Sequence, residues 1–220
     1  MKNYLLLLFA FLSLFSCNKN LLQDQLNDLI PEGEKIQIWD TVYTIDSTTT
    51  LMATVFDEQA GYNTIPPEIG QLIHLEDIII TNKGFIGEIP AEIGNLTKLK
   101  RLRLYGNAFS GELPPELFTL DSLYALEIND NQFSGEISSA IGDLANLQFV
   151  KLEDNQFSGT IPESICELDL YSSFGLDTTV FDSYYAGFRN NNFCPDSETG
   201  EYPACISSSL LGTQNTDNCP

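Results

Sequence analysis

The sequence predicts a repeat solenoid of the α/β type, made mostly of short parallel strands joined by loops and 3-10 turns. The first observation behind this prediction is a 24-residue pattern that returns without a gap, with equivalent apolar positions at Ile65, Ile89, Leu113, Ile137 and Ile161. The second is that two apolar columns lie two residues apart in every repeat, which is the spacing of a strand with one buried face. We expect a right-handed coil with about six strands in one sheet.

Each repeat supplies the same buried positions. The three apolar columns are Leu75, Leu99, Leu123 and Leu147, then Ile78, Leu102, Leu126 and Val150, then Ile80, Leu104, Ile128 and Leu152. A phenylalanine column follows at Phe85, Phe109, Phe133 and Phe157, and an asparagine column at Asn107, Asn131 and Asn155. The asparagine amide can bond backbone groups where the chain leaves the strand. Strands are expected to centre on residues 78–80, 102–104, 126–128, 150–152 and 186–188, and on Phe56.

The spacing Leu-x-x-Leu-x-Leu-x-x-Asn is the leucine-rich-repeat signature. Its continuation Ser-Gly-x-Ile-Pro, as at residues 158–162, resembles the plant-type leucine-rich repeat. The resemblance spans residues 65–168 and departs at Lys83, where the asparagine is missing, and at Ser138, where the proline is missing. It implies a parallel sheet on the concave face, a short second strand in the Ser-Gly-x-Ile-Pro segment, and a binding role. It carries over no catalytic residue.

Residues 1–16 have the pattern of an export signal. Lys2 precedes an apolar run over residues 4–15, which is too short to span a bilayer and suits a signal-peptide core. The run ends in Leu-Phe-Ser-Cys at residues 14–17, which resembles the lipobox of bacterial lipoproteins. That resemblance implies cleavage before Cys17, lipidation of its thiol, and anchoring in the bacterial outer membrane on its periplasmic or outer surface. The alternative is an ordinary secretory signal followed by an incidental cysteine.

The segment between the signal and the regular repeats is expected to form an N-terminal cap. Residues 17–33 have leucines at helix-like spacing and form either a membrane tether or a short capping helix. Residues 34–64 begin with apolar positions that suit short strands, from Ile36 to Ile45. Leu51 and Phe56 lie 24 residues before Leu75 and Ile80, so this segment is interpreted as ending in a degenerate first repeat.

Residues 169–220 are expected to hold a divergent last repeat with an insertion, followed by a C-terminal cap. Asn191 is the counterpart of the repeated asparagine, which leaves about 12 extra residues within 169–183. Four cysteines follow Cys17, and an even number in an exported chain predicts disulfides. They are Cys166, Cys194, Cys205 and Cys219. All three pairings are open. The resemblance to cysteine-bounded solenoid caps favours Cys194–Cys205 with Cys166–Cys219, and metal binding by the four is a less favoured alternative.

The outward strand positions supply the candidate binding residues. Basic residues cluster in one repeat, at Lys100, Arg101 and Arg103, and should form a small positive island. Neighbouring strands should place Arg103, Glu127 and Lys151 in one column, where alternating charges can also form a purely structural cross-strand ladder. The aromatic candidates on the same face are Tyr105, Tyr124 and Phe149.

The composition limits the possible functions. With 10 basic and 31 acidic residues the net charge is −21, which disfavours nucleic acid and anionic membrane surfaces as partners. The only histidine, His74, aligns with spacer positions and suggests no catalytic group, and no cofactor or metal is expected. Asp130 and Asp154 share a column that lacks a calcium-loop motif. We therefore expect a non-catalytic envelope lipoprotein that binds a protein or peptide through its concave face. The alternative is a glycan-binding accessory lipoprotein or adhesin.

Overall fold

The structure is a computed structural model that describes residues 35–38, 41–44, 47–52, 63–168, 170, 186–206, 211–217 and 219. The expectations for the export signal, Cys17, the tether at residues 17–33 and nearly all of the insertion at 169–183 lie outside these residues. Among the described residues, no helix is long and apolar enough to cross a membrane.

A six-stranded parallel sheet runs through all the repeats and confirms the predicted architecture. Its strands are β3 (Thr50–Met52), β4 (Asp77–Ile79), β6 (Arg101–Arg103), β8 (Ala125–Glu127), β10 (Phe149–Lys151) and β12 (Ala186–Gly187). They lie in the order β12-β10-β8-β6-β4-β3, so each strand pairs with those of the adjacent repeats. The four regular strands begin one residue before the predicted positions.

A second parallel sheet forms where the Ser-Gly-x-Ile-Pro segments recur, as the resemblance implied. Its strands are β5 (Ile86–Gly87), β7 (Ala108–Gly111), β9 (Gln132–Glu136), β11 (Gln156–Thr160) and β13 (Asn192–Cys194). Gly111 in β7 has a φ of +80°. A Cβ there would lie 2.6 Å from Cγ of Glu88 in the preceding repeat, so this position requires glycine for both its backbone conformation and its packing.

Short 3-10 helices return the chain from the second sheet to the first. They are η1 (Pro67–Gln71), η2 (Ala91–Asn95), η3 (Pro115–Thr119), η4 (Ser139–Asp143) and η5 (Glu163–Glu167). A proline precedes four of them. At η4 its place is taken by Ser138, whose side chain accepts a hydrogen bond from the Ala140 amide. Serine therefore replaces proline there with a conventional N-cap.

An antiparallel hairpin of β1 (Lys35–Ile38) and β2 (Thr41–Thr44) precedes the six-stranded sheet, in the region where short strands were expected. The predicted register of the first repeat was wrong. Leu51 pairs with Ile78, an offset of 27 residues, so it fills the second apolar column instead of that of Leu75. The first strand of the sheet is accordingly Thr50–Met52 and is not centred on Phe56, which itself lies outside the described residues. The connection to η1 is three residues longer than the 24-residue period allows.

The two sheets and the 3-10 helices enclose one apolar core. The repeated leucine, isoleucine and valine columns are fully buried. Between the sheets the phenylalanines stack, with ring centroids 6.0 Å apart from Phe109 to Phe133 and 6.3 Å apart from Phe133 to Phe157. The stack ends on Phe193 of β13. Each ring therefore depends on the neighbouring repeats for its contacts.

Asparagines link successive repeats by a hydrogen-bonded ladder. The Asn131 oxygen accepts from the Phe109 amide, and its nitrogen donates to the carbonyls of Leu104 and Ile128. Asn107, Asn155 and Asn191 make corresponding bonds. After the last asparagine, Gln214 takes over: its side chain accepts from the Phe193 amide and donates to the Phe188 carbonyl. The C-terminal tail thus completes the ladder with a different residue type.

The disulfides join Cys166 to Cys205 and Cys194 to Cys219. The favoured pairing of Cys194 with Cys205 and Cys166 with Cys219 was therefore wrong. The reason is the path of the tail, which forms a parallel bridge between Asn191 and Gln214. That bridge brings Cys219 alongside β13 and its Cys194, while the preceding turn returns Cys205 to the last 3-10 helix.

Candidate binding face

The register of the six-stranded sheet places the predicted binding residues on neighbouring strands. Arg103 of β6 pairs with Glu127 of β8, which in turn pairs with Lys151 of β10. Two residues earlier along the strands, Asp77 lies beside Arg101 and Ala125 beside Phe149. The expected column of alternating charge is therefore present.

Lys100, Arg101 and Arg103 each have an acidic neighbour. Lys100 Nζ lies 2.8 Å from Glu76, and Arg103 Nε lies 2.8 Å from Glu127. Arg101 donates two hydrogen bonds to Asp77, one of them 2.7 Å long from Nη2 to Oδ2. The predicted positive island is consequently a row of ion pairs, with Lys100 and Arg101 paired to the preceding strand and Arg103 to the following one.

The Arg101–Asp77 pair is the strongest of the three in geometry. The Arg101 hydrogen bonds hold the pKa of the Asp77 carboxyl below its usual value, and Asp77 correspondingly raises the pKa of Arg101. The Asp77 side chain is largely buried, whereas Arg101 and Arg103 remain partly exposed. Exposed ion pairs contribute little stability, so the guanidinium groups can exchange partners at small cost.

Two of the three predicted aromatic residues lie together. Tyr124 and Phe149 meet edge to face with ring centroids 5.0 Å apart. Both are half-buried, so part of each ring faces outward. Tyr105 follows β6, is also half-buried, and does not line the depression that the other two share.

These residues border an open groove of about 470 Å³ on the outer face of the six-stranded sheet. Its lining is Arg101, Arg103, Tyr124, Ala125, Glu127, Phe149 and Lys151, and we refer to it as the sheet groove. Six of the eight predicted ligand-binding residues are brought together there. Lys100 and Tyr105 lie outside it.

Glu153 is a feature of this face that the sequence interpretation missed. It is only 7% exposed, its Oε2 has no hydrogen-bond partner, and burial raises the pKa of its carboxyl. Asn129, the equivalent residue one repeat earlier, likewise has a buried side-chain oxygen without a partner. The sequence signal for these two residues was their position. Asn129 and Glu153 lie two residues beyond Glu127 and Lys151, and therefore next to the predicted outward column.

The described residues contain no group of three or more His, Cys, Asp or Glu side chains that could hold a metal ion. His74 lies away from the sheet groove, on the loop before β4, and its Nδ1 is 2.8 Å from Lys98 Nζ. The sheet groove is therefore the candidate site, suited to noncovalent recognition by charge, hydrogen bonds and aromatic contact.

Comparison with known proteins supports the leucine-rich-repeat fold. The family model described as Leucine Rich Repeat matches residues 98–120 and 146–168. No curated protein sequence matches the chain.

The solved structures that are similar to this chain include the ectodomain of a plant receptor kinase. This structure is the leucine-rich-repeat ectodomain of the membrane receptor kinase GASSHO1/SCHENGEN3 from Arabidopsis thaliana, in complex with CASPARIAN STRIP INTEGRITY FACTOR 2. Its sequence is 30% identical to this chain, with a TM-score of 0.54. The alignment covers 66% of this chain and 16% of the ectodomain. A TDR receptor aligns with 33% identity and a TM-score of 0.54 over 69% of this chain and 24% of that one. A chain of the BIR3–SERK2 complex from Arabidopsis thaliana has 27% identity and a TM-score of 0.50 over 66% and 68% of the two chains. This chain thus spans less than a quarter of the first two.

Proposed function

We propose that this leucine-rich-repeat protein is a non-catalytic lipoprotein of the cell envelope that binds a protein or peptide through its sheet groove. The observation that carries the proposal is the composition of that groove, in which two guanidinium groups, a lysine, a carboxylate and two aromatic rings border one open depression. Aromatic residues and arginine are the side chains that most often dominate protein interfaces.

The ion pairs in the sheet groove favour recognition of a polar, sequence-specific ligand. Arg103 and Glu127 lie in contact, so a ligand carboxylate or ammonium group can replace one partner of the pair. Such exchange contributes more to specificity and association rate than to affinity. The edge-to-face pair of Tyr124 and Phe149 provides an apolar surface beside these charges. A peptide carries all three kinds of group within a short length.

The comparisons support the same class of partner. The GASSHO1/SCHENGEN3 ectodomain was solved in complex with a named factor, and it shares the repeat architecture with this chain. The match covers a small part of that ectodomain, so its whole activity is not transferred. The two disulfides and the likeness to ectodomains indicate an exported protein. Attachment through a lipidated Cys17 is part of the proposal and rests on the sequence pattern at residues 14–17.

The proposal is tested by selecting peptides from a phage-displayed random library on the full chain, with a glycan array in parallel. We expect enriched peptides whose binding weakens at least about tenfold in the double variants Arg101→Ala/Arg103→Ala and Tyr124→Ala/Phe149→Ala. Binding should also weaken as the salt concentration rises.

The matched control is Glu112→Gln, an exposed residue on the opposite side of the repeats, next to the second sheet. It should leave peptide binding unchanged. If both groove variants retain full binding, the sheet groove is not the site. If only glycans bind, and their binding is insensitive to salt, the partner class is wrong and the glycan-binding alternative replaces it.

A further inference from the structure

We propose that Asn129 and Glu153 form a subsite for a positively charged hydrogen-bond donor, an ammonium or guanidinium group, at one end of the sheet groove. The inference deepens the proposed function, because it assigns the ligand a charge and a position. The inference depends on the proposed function only for what the natural ligand is. The subsite itself can be tested with small cations alone.

The backbone holds the two side chains next to each other. The parallel ladder between the two repeats continues beyond the strands, with Ile128 N donating to Lys151 O at 3.0 Å and Asp130 N donating to Glu153 O at 3.0 Å. Asn129 and Glu153 therefore occupy equivalent positions in neighbouring repeats, whose backbones lie about 4.8 Å apart. They lie two residues past Glu127 and Lys151, about 6.6 Å along the strand direction from the groove lining.

Both side chains present an acceptor with no donor. Asn129 Nδ2 donates to Asp130 Oδ2 at 2.6 Å, which fixes the amide orientation and leaves Oδ1 as the free acceptor. Glu153 Oε2 is also without a partner, although Glu153 is more than nine-tenths buried. Most buried polar atoms in proteins are paired, so two orphaned acceptors in adjacent positions indicate a missing donor. Since both are acceptors, the group that satisfies them together must bring at least two N–H bonds.

The position of Glu153 depends on a specific neighbour. Its carboxylate lies against Gly187 of β12, where an added Cβ would be 2.3 Å from Oε2. The strand that completes the sheet thus leaves room for this carboxylate by carrying no side chain. Gly187 pairs with Lys151, and therefore occupies the outward column of the groove. The Glu153 carboxylate therefore lies over β12, the strand next to those that line the sheet groove.

The surrounding charges favour an organic cation over a metal ion. Lys151 and Arg189 are the nearest positive groups and stabilise the charged form of Glu153 by Coulombic attraction, yet neither donates to Oε2. Asp154, which opposes that charge, accepts a hydrogen bond from Asn190, and no three-carboxylate group exists among the described residues. Two oxygens suit the directional N–H groups of an amine or guanidine better than a divalent ion. Asn129 lies on the β8 side of Glu153 and Gly187 on the β12 side. Engagement therefore requires the Glu153 carboxylate to turn from Gly187 toward Asn129 and the surface, a change between side-chain rotamers.

The subsite would orient the ligand in the groove. A basic side chain or an amino terminus would lie at the Glu153 end, and acidic or aromatic groups would lie toward Arg101 and Tyr124. Charged hydrogen bonds are the strongest noncovalent contacts available to such a ligand.

The test is an NMR titration of the full chain in detergent micelles with methylguanidinium, n-butylamine and the neutral donor methylurea. We expect a saturable shift of the Asn129 side-chain amide and the Glu153 carboxyl signal with one of the two cations, and at least about tenfold weaker binding of methylurea. Which cation binds more tightly distinguishes guanidinium from ammonium. Glu153→Gln should weaken cation binding roughly ten- to hundredfold while Glu112→Gln does not.

Three outcomes would overturn the inference: no saturable shift with either cation, equal binding of methylurea, or unchanged binding in Glu153→Gln. A shift caused by Ca²⁺ and not by the organic cations would also overturn it. None of these depends on the peptide selection, so failure of the proposed function is separately visible. The selected peptides give a second comparison. If they bind through Arg101 and Arg103 but do not prefer a basic group, or if Glu153→Gln does not abolish that preference, the sheet groove is supported and the subsite is rejected.

Discussion

At the scale of single residues, Glu153 is a buried carboxyl whose charged form is disfavoured by burial in the folded state. Burial raises the pKa of its carboxyl, so the folded state binds a proton more readily than the unfolded state does. Stability therefore falls as the pH rises from the unfolded-state pKa toward the folded-state pKa. At neutral pH the ionised Glu153 lowers the free energy of unfolding, and below the ordinary value of 4.5 this penalty disappears.

From this sign we predict that Glu153→Gln raises the melting temperature at pH 7, by roughly 2–4 °C if the gain is about 1 kcal/mol. The glutamine keeps the shape of the side chain but carries no charge to desolvate. Thermal unfolding followed by circular dichroism between pH 3.5 and 8 is the measurement. The gain should shrink toward zero at the acidic end. A variant that is less stable at neutral pH would show that the carboxylate is satisfied within the folded chain.

The sequence predicts the charged column of the groove better than it predicts the buried Glu153. The column of Arg103, Glu127 and Lys151 follows from the 24-residue register, because equivalent positions in neighbouring repeats must lie side by side. The pairing of Lys100 with Glu76 and of Arg101 with Asp77 follows from the same register, but rotamers decide which acid each cation contacts. Burial of Glu153 could not be predicted, since it depends on the missing side chain at Gly187, in a repeat displaced by the insertion.

At the scale of structural elements, the asparagine ladder holds the turn of each repeat to its neighbour. Asn131 satisfies the Phe109 amide of the preceding repeat and the carbonyls of Leu104, Ile128 and Asn129. All four of these bonds are part-buried, so water cannot replace all of them.

We predict that Asn131→Ala lowers the free energy of unfolding by about 1–3 kcal/mol, because it leaves the part-buried Phe109 amide without a partner. The carbonyls of Leu104, Ile128 and Asn129 each lose one donor and keep a second. Gln132→Ala, at the exposed neighbouring position, should change it by less than about 0.5 kcal/mol. Urea unfolding of the three proteins gives both values. A loss for Asn131→Ala as small as that of the control would mean that the ladder carries little stability.

The elements themselves were largely predictable wherever the period is kept. Strands β4, β6, β8 and β10 lie within one residue of their expected centres, because the apolar alternation and the repeated turn residues agree. The N-terminal register failed at Leu51, because a longer connection shifts the first strand by three residues and an isolated leucine does not distinguish the two apolar columns. The role of Gln214 was not predicted, because glutamine does not match the repeated asparagine. Its longer side chain nevertheless makes the equivalent hydrogen bonds, to the Phe193 amide and the Phe188 carbonyl.

At the scale of the whole molecule, the disulfides close the C-terminal end of the solenoid. Sequence separation could not select the pairing, because it is set by the course of the tail across Asn191. The two disulfides are consistent with an exported protein, as disulfides persist in oxidising surroundings.

We predict that Cys17→Ser moves the protein from the membrane fraction to the soluble fraction or leaves it unprocessed. The physical reason is that acyl chains on the Cys17 thiol hold a protein on a bilayer, and two or more are needed for stable attachment. Fractionation followed by mass spectrometry of the amino terminus is the measurement, with Cys166→Ser/Cys205→Ser as a control that keeps the proposed anchor. An unmodified amino terminus on a soluble parent protein would contradict the lipoprotein assignment.

The repeats should unfold together, because each contributes only part of its own core. Phe133 stacks between Phe109 and Phe157, in the repeats before and after it. We predict that Phe133→Ala lowers the free energy of unfolding by about 3–5 kcal/mol, and that hydrogen exchange accelerates at the Phe109 and Phe157 amides as well as within the altered repeat. Phe149→Ala, a half-buried aromatic on the outer face, should cost less and leave exchange at those amides nearly unchanged. Faster exchange confined to residues 125–148 in Phe133→Ala would show that the repeats open independently and that the solenoid is not one cooperative unit.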